Sequence, residues 1–118
     1  MEAFDILGDP VRRRMLELLA SGERAAGDVA GEIRAEFGLT QPAVSRHLRL
    51  LRESGFASVR AAGTRRLYAL DAAGLEHVES WLADLRAQWS QRLDALETEI
   101  ARGRRANATV SNQQEDTA

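Results

Sequence analysis

The sequence predicts a mainly helical fold that carries one small β-hairpin and ends in a long helix. Apolar residues recur at helical spacing in several segments before residue 54 and again after residue 71. Between these segments, two short strand-like runs flank a glycine-containing turn. Hydrophobic residues make up 44% of the chain and charged residues 29%, which is typical of a globular domain. We expect one domain over residues 1–105, followed over residues 106–118 by a disordered polar tail without apolar periodicity.

The first three helices are predicted from their caps and their apolar spacing. A short helix is expected over residues 4–7. Asp9 then serves as an N-cap, and Pro10 is tolerated at the first position of a second helix that ends at residues 21–22, Ser-Gly. A third helix spans roughly residues 26–37, and its start is weakly specified because no side chain there can cap it.

The remaining elements are a fourth helix, the hairpin and the final helix. Thr40 caps the fourth helix, which ends at residues 54–55, Ser-Gly. Strands are expected over residues 57–60 and 65–70, and Asp71 caps the last helix. The apolar positions of that last helix are Leu75, Val78, Leu82, Leu85, Trp89, Leu93, Leu96 and Ile100.

The outward face of the fourth helix has the composition of a helix that reads duplex DNA. Two helices joined by a short turn, the second with an exposed polar face, form a helix-turn-helix. Arginine donates two hydrogen bonds to guanine, and glutamine pairs with adenine. Residues 40–70 contain six arginines and one acid, whereas the whole chain has a net charge of -2. The predicted DNA contacts are Gln41, Pro42, Ser45, Arg46, His47, Arg49, Arg60, Arg65 and Arg66.

Other interpretations of the same residues stay open. Every amphipathic helix has a polar outer face, and hairpin arginines also keep an edge strand soluble. His47 lies at the border of the apolar face, where a packing role competes with a phosphate contact. The alternative function is a winged-helix module that contacts proteins without binding DNA.

Composition argues against several other classes of protein. The chain has no cysteine and two histidines, which excludes disulfides and thiolate metal sites. No glycine-rich phosphate loop or nucleophile–base pair is present, so we expect neither an enzyme nor a metal or cofactor. No apolar run is long enough to span a membrane, and the acidic N-terminus is unlike a secretion signal. We therefore expect a cytoplasmic protein.

Three segments resemble the arsenical-repressor (ArsR-type) family of winged-helix regulators. They are LGDPVRRRMLELL (7–19), QPAVSRHLRLLRESG (41–55) and GTRRLYALD (63–71), and the resemblance covers about residues 4–100. Members of that family are homodimeric bacterial repressors that bind inverted-repeat operators. For this chain, the resemblance implies a winged helix-turn-helix fold, binding to double-stranded DNA and regulation of transcription.

Carried onto this numbering, the resemblance implies a recognition helix over residues 40–53, a wing over 57–70 and a dimerisation helix after Asp71. The chain departs from its metal-sensing relatives, because the third helix has no thiolate and the last helix has only scattered acids beside His77. We therefore expect a branch of the family without metal sensing. The existence of a small-molecule effector stays open, as do the roles of His77 and Trp81.

The length of the last helix predicts a homodimer. A helix of about 30 residues is ~45 Å long, whereas a compact domain of about 100 residues has a radius of gyration near 13 Å. The distal apolar stripe therefore needs another partner, and a second copy related by a two-fold axis is the simplest. The predicted interface residues are Phe4, Leu7, Leu82, Leu85, Trp89, Leu93, Leu96 and Ile100.

Overall fold

The structure is a computed structural model that describes the backbone of residues 2–116 and the side chains of residues 2–107. It divides into two compact units, one up to Ser80 and one from Trp81 onward. In chain order the elements are α1 (Ala3–Leu7), α2 (Pro10–Ala20), β1 (Arg24–Ala25), α3 (Ala26–Phe37), α4 (Gln41–Glu53), β2 (Ala57–Ala62), β3 (Arg65–Leu70) and α5 (Ala72–Asp116). The predicted mainly helical fold with a hairpin and a long last helix is confirmed.

The predicted capping residues begin the helices that they were expected to begin. The Asp9 side chain accepts a hydrogen bond from the Val11 amide at 2.8 Å, and Pro10 is the first residue of α2. The Thr40 hydroxyl accepts from the Ala43 amide at 3.3 Å at the start of α4. Gly38 ends α3 with a φ of 69°, a left-handed conformation that glycine adopts without steric cost.

The strands form a three-stranded antiparallel sheet in the order β1-β3-β2. The hairpin strand β2 reaches Ala62, two residues beyond its predicted end, so the loop contracts to residues 63–64. Gly63 has a φ of 64°, as a tight turn requires. The sequence analysis missed β1, because a strand of two residues has no periodicity and forms only by pairing with the free edge of β3.

One hydrophobic core fills the first unit, with contributions from α1 to α4 and from the sheet. Phe56, between α4 and β2, is completely buried. Gly74 lies so close to it that an added Cβ would come within 2.6 Å of the Phe56 ring. The first turn of α5 therefore packs on Phe56, and partly buried Leu75 and Val78 extend this contact to the core.

Helix α5 continues to Asp116. Its backbone is therefore helical over most of the 106–118 segment, which we expected to be a disordered tail; residues 117–118 lie outside the described part. No proline follows Pro42, so no residue in the segment blocks the continued i to i−4 hydrogen bonding of the helix. Within the described residues, no helix is both long and apolar enough to cross a membrane.

The distal part of α5 carries a stripe of large apolar side chains, all at least 41% exposed. They repeat at a spacing of 11 residues, which pairs Leu82 with Leu93, Leu85 with Leu96 and Trp89 with Ile100. We call this set, Leu82, Leu85, Trp89, Leu93, Leu96 and Ile100, the apolar stripe.

Candidate nucleic-acid interface

Helix α4 presents its polar residues to solvent and its apolar residues to the core. Val44, Leu48 and Leu51 are buried, as the spacing predicted. The opposite face is exposed at the predicted contact positions Gln41, Pro42, Ser45, Arg46 and Arg49. Since Pro42 and the Thr40 cap fix the first turn, these side chains extend from a well-defined helix start.

The arginines of the first unit differ in whether an acid neutralises them. Arg14 pairs with Glu36 at 2.9 Å, and Arg24 pairs with Glu32 at 3.0 Å. By contrast, the guanidinium groups of three arginines on α4 and β3 make no hydrogen bond or ion pair with any described residue; they are Arg46, Arg52 and Arg66. Among the described residues, three uncompensated cations thus lie together on α4 and the adjacent strand, whereas the unpaired Arg34 lies apart from them on α3.

Two of the predicted wing arginines are engaged within the chain. The Arg60 guanidinium donates two hydrogen bonds to Glu23, at 2.8 and 2.7 Å. This pair holds the pKa of Glu23 below its ordinary value. Arg65 donates to Asp28 at 3.2 Å. Both arginines are exposed, so these ion pairs are open to solvent and to competing anions.

The third wing arginine lies on the other face of the strand. Successive residues of a strand point to opposite faces, which places Arg66 with Tyr68 and Arg65 with Leu67. Arg66 and Tyr68 line a pocket of about 350 Å³ together with residues of α4, including Gln41, Ser45 and Arg49. The structure thus brings four of the nine predicted DNA contacts to one cavity, namely Gln41, Ser45, Arg49 and Arg66.

His47 is half-buried and hydrogen-bonded to a buried arginine. Arg12 is 8% exposed; its guanidinium donates to the carbonyls of Asp5 and Ile6 and lies 3.2 Å from Nδ1 of His47. A guanidinium has no acceptor, so Nδ1 accepts and the ring proton resides on Nε2. Burial lowers the pKa of His47, and Arg12 and Arg46 lower it further against the opposing effect of Asp9. The imidazole is therefore neutral at physiological pH.

Sequence reasoning missed two residues of this region. Arg12 was overlooked among three consecutive arginines, although Met15, Leu16 and Leu19, which follow it at helical spacing, place it on the buried face of α2. Arg52 is absent from the predicted DNA contacts, yet it lines the same pocket as Arg49 and Arg66. Its position three residues after Arg49 was the available signal.

The predicted dimer residues are distributed between the two units. Phe4 is 43% exposed on α1, whereas Leu7 is partly buried against the core of its own chain. The other predicted residues form the apolar stripe on α5. In the described part of the chain, no group of three or more His, Cys, Asp or Glu side chains is placed to hold a metal ion.

Comparisons with known proteins agree with this fold and with the resemblance stated above. The family model described as "Bacterial regulatory protein, arsR family" matches residues 9–59. An HTH-type transcriptional regulator of Mycobacterium tuberculosis is 37% identical over 91 residues, which cover 77% of this chain and 78% of that protein. The transcriptional repressor SdpR of Bacillus subtilis is 32% identical over 67% of this chain and 83% of its own length.

Solved structures show the same similarity. The crystal structure of a possible transcriptional regulator for arsenical resistance matches with a TM-score of 0.62 and 33% identity, and covers 72% of this chain and 84% of that one. An ArsR-family transcriptional regulator matches with a TM-score of 0.64 at 28% identity, over 75% of this chain and 87% of its own. The predicted winged helix-turn-helix fold is therefore confirmed, and this chain belongs to the ArsR family of bacterial regulatory proteins.

Proposed function

We propose that this protein is a sequence-specific transcription regulator that binds duplex DNA as a homodimer at an inverted-repeat operator. The observation that carries the proposal is the group of arginines without internal partners on α4 and β3, namely Arg46, Arg52 and Arg66. Guanidinium groups in this state take phosphate oxygens and guanine edges as their partners. The relatives described above are transcriptional regulators, which supports the same role here.

In this proposal α4 enters the major groove, and its exposed side chains contact either base edges or phosphates. Arg46 is exposed on the outward face and lies outside the pocket that Arg49 and Arg66 line, so its guanidinium is free to read a base edge. Ser45 directly precedes Arg46, and Gln41 lies one turn before Ser45, within reach of bases or of the phosphates that flank them. The wing residues Arg60 and Arg65 reach the backbone beyond the site read by α4.

The apolar stripe supports the homodimer. Burial of one leucine side chain contributes about 1.5–3 kcal/mol, and all six side chains of the apolar stripe are exposed. A two-fold dimer covers the same stripe on both copies and presents two copies of α4 to half-sites about 34 Å apart. Phe4 and Leu7 add to this interface from α1.

The direction of regulation and the mode of action are also part of the proposal. SdpR is a transcriptional repressor, which supports repression by occupancy of the operator. We infer that the protein acts by binding alone, without catalysis and without a resident metal ion. It works where DNA is accessible, in the cytoplasm.

The direct test is selection of bound genomic fragments, followed by fluorescence anisotropy on the selected duplex at several salt concentrations. We expect an inverted repeat and an affinity that falls steeply with salt. Arg46→Ala should weaken binding by about 1–3 kcal/mol and relax sequence preference at one position of each half-site. Arg34→Ala removes the same charge from an exposed, unpaired arginine on α3 and serves as the matched control.

Two results would contradict the proposal. Absence of any salt-sensitive duplex affinity would favour the alternative, a winged-helix module that contacts proteins. Unchanged affinity of the Arg46→Ala variant, with an unchanged circular dichroism spectrum, would remove α4 from the groove.

A further inference from the structure

The pocket between α4 and β3 is distinguished by its charge. It has a volume of about 350 Å³ and is bounded by the start of α3, by α4 and by β3. Three arginines line it, Arg49, Arg52 and Arg66, and no carboxylate does. Its volume is at the lower end of the range for small-ligand sites, so it suits one compact anionic group.

The cations in this pocket are poorly compensated. Arg52 and Arg66 have no partner among the described residues, and Arg49 has only a contact of 3.9 Å with Glu53. Three guanidinium groups that share one cavity repel one another, and an anion placed among them removes that repulsion. On the opposite face of β3 the corresponding groove has acids, and there Asp28 already engages Arg65.

Neutral donors complete the surroundings of the pocket. Gln41 and Ser45 line it with side chains that donate hydrogen bonds. The first residues of α3, Ala26 and Gly27, also lie at its edge, and the N-cap Ala25 offers no side-chain acceptor to the amides of that first turn. The polar side chains of the lining thus include cations and hydrogen-bond donors and no carboxylate.

We propose that this pocket holds one phosphate of the DNA backbone, bound jointly by Arg49, Arg52 and Arg66. The inference rests on the proposed DNA-binding function and assigns a distinct task within it. Because the three arginines come from α4 and from the wing strand, the shared phosphate sets the position of the helix and the wing on one strand of the duplex. Sequence is read elsewhere on α4, at Arg46.

The test is a double-mutant cycle with Arg52→Gln, Arg66→Gln and their combination, each measured for duplex affinity against salt. Each single change should weaken binding about tenfold, since a hydrogen-bonded charge is lost. A shared phosphate predicts that the double variant loses much less than the product of the two single losses. Because Arg49 still neutralises the shared phosphate in the double variant, the slope of log affinity against log salt should stay nearly unchanged there, and it should fall by about 0.9 per protomer when Arg49→Gln is added.

Separate phosphates for the two arginines give a different result. The losses would then multiply, and the slope would fall by about 1.8 per protomer, which would overturn the proposal. Affinities of both single variants equal to that of Arg34→Gln would overturn it as well. In either case the wild-type protein still binds DNA, so the failure is distinct from that of the proposed function, which would show as no affinity in the wild type.

A free phosphate ligand is the other possible source of the anion. Thermal unfolding with inorganic phosphate and with sodium chloride at equal ionic strength separates the two. A pocket that serves the duplex backbone predicts that phosphate raises the melting temperature of the wild type and of the double variant by the same amount, because phosphate stabilises folded proteins through exclusion from their surface. Saturable stabilisation of the wild type by phosphate, absent from the double variant, would assign the pocket to a free ligand and overturn the proposal.

Discussion

The two units of this protein differ in how far they bury their large apolar side chains. Up to Ser80, the large side chains of Ile6, Met15 and Phe56 are completely buried in one core. From Trp81 onward, the six residues of the apolar stripe are at least 41% exposed, and Trp89 reaches 62%. The first unit therefore has the interactions it needs to fold, whereas the second needs a partner to cover its apolar side chains.

Among the changes considered, disruption of the apolar stripe should have the largest effect, and the quantity affected is the affinity of dimerisation. We expect Leu93→Glu combined with Leu96→Glu to weaken dimerisation by about a thousandfold or more, because each leucine is buried twice in a symmetric interface. Sedimentation equilibrium or light scattering measures the change. Ala87→Glu with Gln91→Glu adds the same charges to the other side of α5 and should leave the dimer intact. A stable dimer of the leucine variant would show that the stripe is not the interface.

Close packing in the first unit predicts the next largest effect. Gly74→Ala should destabilise the protein by about 1–3 kcal/mol, since the new Cβ would come within 2.6 Å of the buried Phe56 ring. Gly31→Ala on α3 is the matched control, because no atom lies within 4 Å of its new Cβ. It should stabilise by about 0.5–1 kcal/mol through helix propensity. Urea denaturation followed by circular dichroism gives the change in unfolding free energy for both variants. If both changes had the same sign, the packing explanation would be refuted.

The buried polar contact between Arg12 and His47 predicts a pH dependence of stability. The pKa of His47 is lowered in the folded protein, so the unfolded chain binds more protons below about pH 6.5. The melting temperature should therefore fall between about pH 7.5 and about pH 5.5, and stability should be regained as pH rises. His47→Gln should flatten this profile, whereas His77→Gln should retain it. A profile that is the same in all three proteins would exclude His47 as the cause.

The exposed ion pairs of the first unit predict the smallest effect. Glu23→Gln removes the carboxylate that engages Arg60, and it should barely change the melting temperature because the pair is exposed. Duplex affinity should rise by a small factor, since the competing carboxylate is gone. Glu17→Gln on α2 makes the same change of charge away from the wing. A loss of affinity in Glu23→Gln alone would mean that Glu23 positions Arg60 rather than competing for it.

Local signals predicted most of the fold. Helices begin at the caps Asp9 and Thr40 and end at Gly38 through hydrogen bonds that span at most four residues. Both partners of each bond are therefore close together in the sequence. The strand β1 was missed because its only partner, β3, is more than 40 residues away in the chain. The 106–118 segment was predicted to be a disordered tail because its polar composition resembles one, whereas the helical backbone of α5 continues to Asp116.

The sequence predicted which residue types form the site, but not which of its arginines form ion pairs with acidic residues. Spacing on α4 identified Pro42, Ser45, Arg46 and Arg49 as one exposed face, with Gln41 at its border. It could not show that Glu23 and Asp28 engage two wing arginines, because each pair is separated by 37 residues in sequence. The division between compensated and uncompensated arginines therefore required the tertiary structure.

The 11-residue spacing of the apolar stripe has a geometric consequence for α5. Eleven residues in three turns correspond to about 3.67 residues per turn, close to the 3.6 of an unstrained α-helix. The stripe therefore drifts only slowly around the helix, and two copies packed along it would wind around each other only weakly, in the right-handed sense. The next positions in the repeat after Leu93 and Leu96 are Arg104 and Asn107, so the seam between two such helices has a fixed length that ends at Ile100.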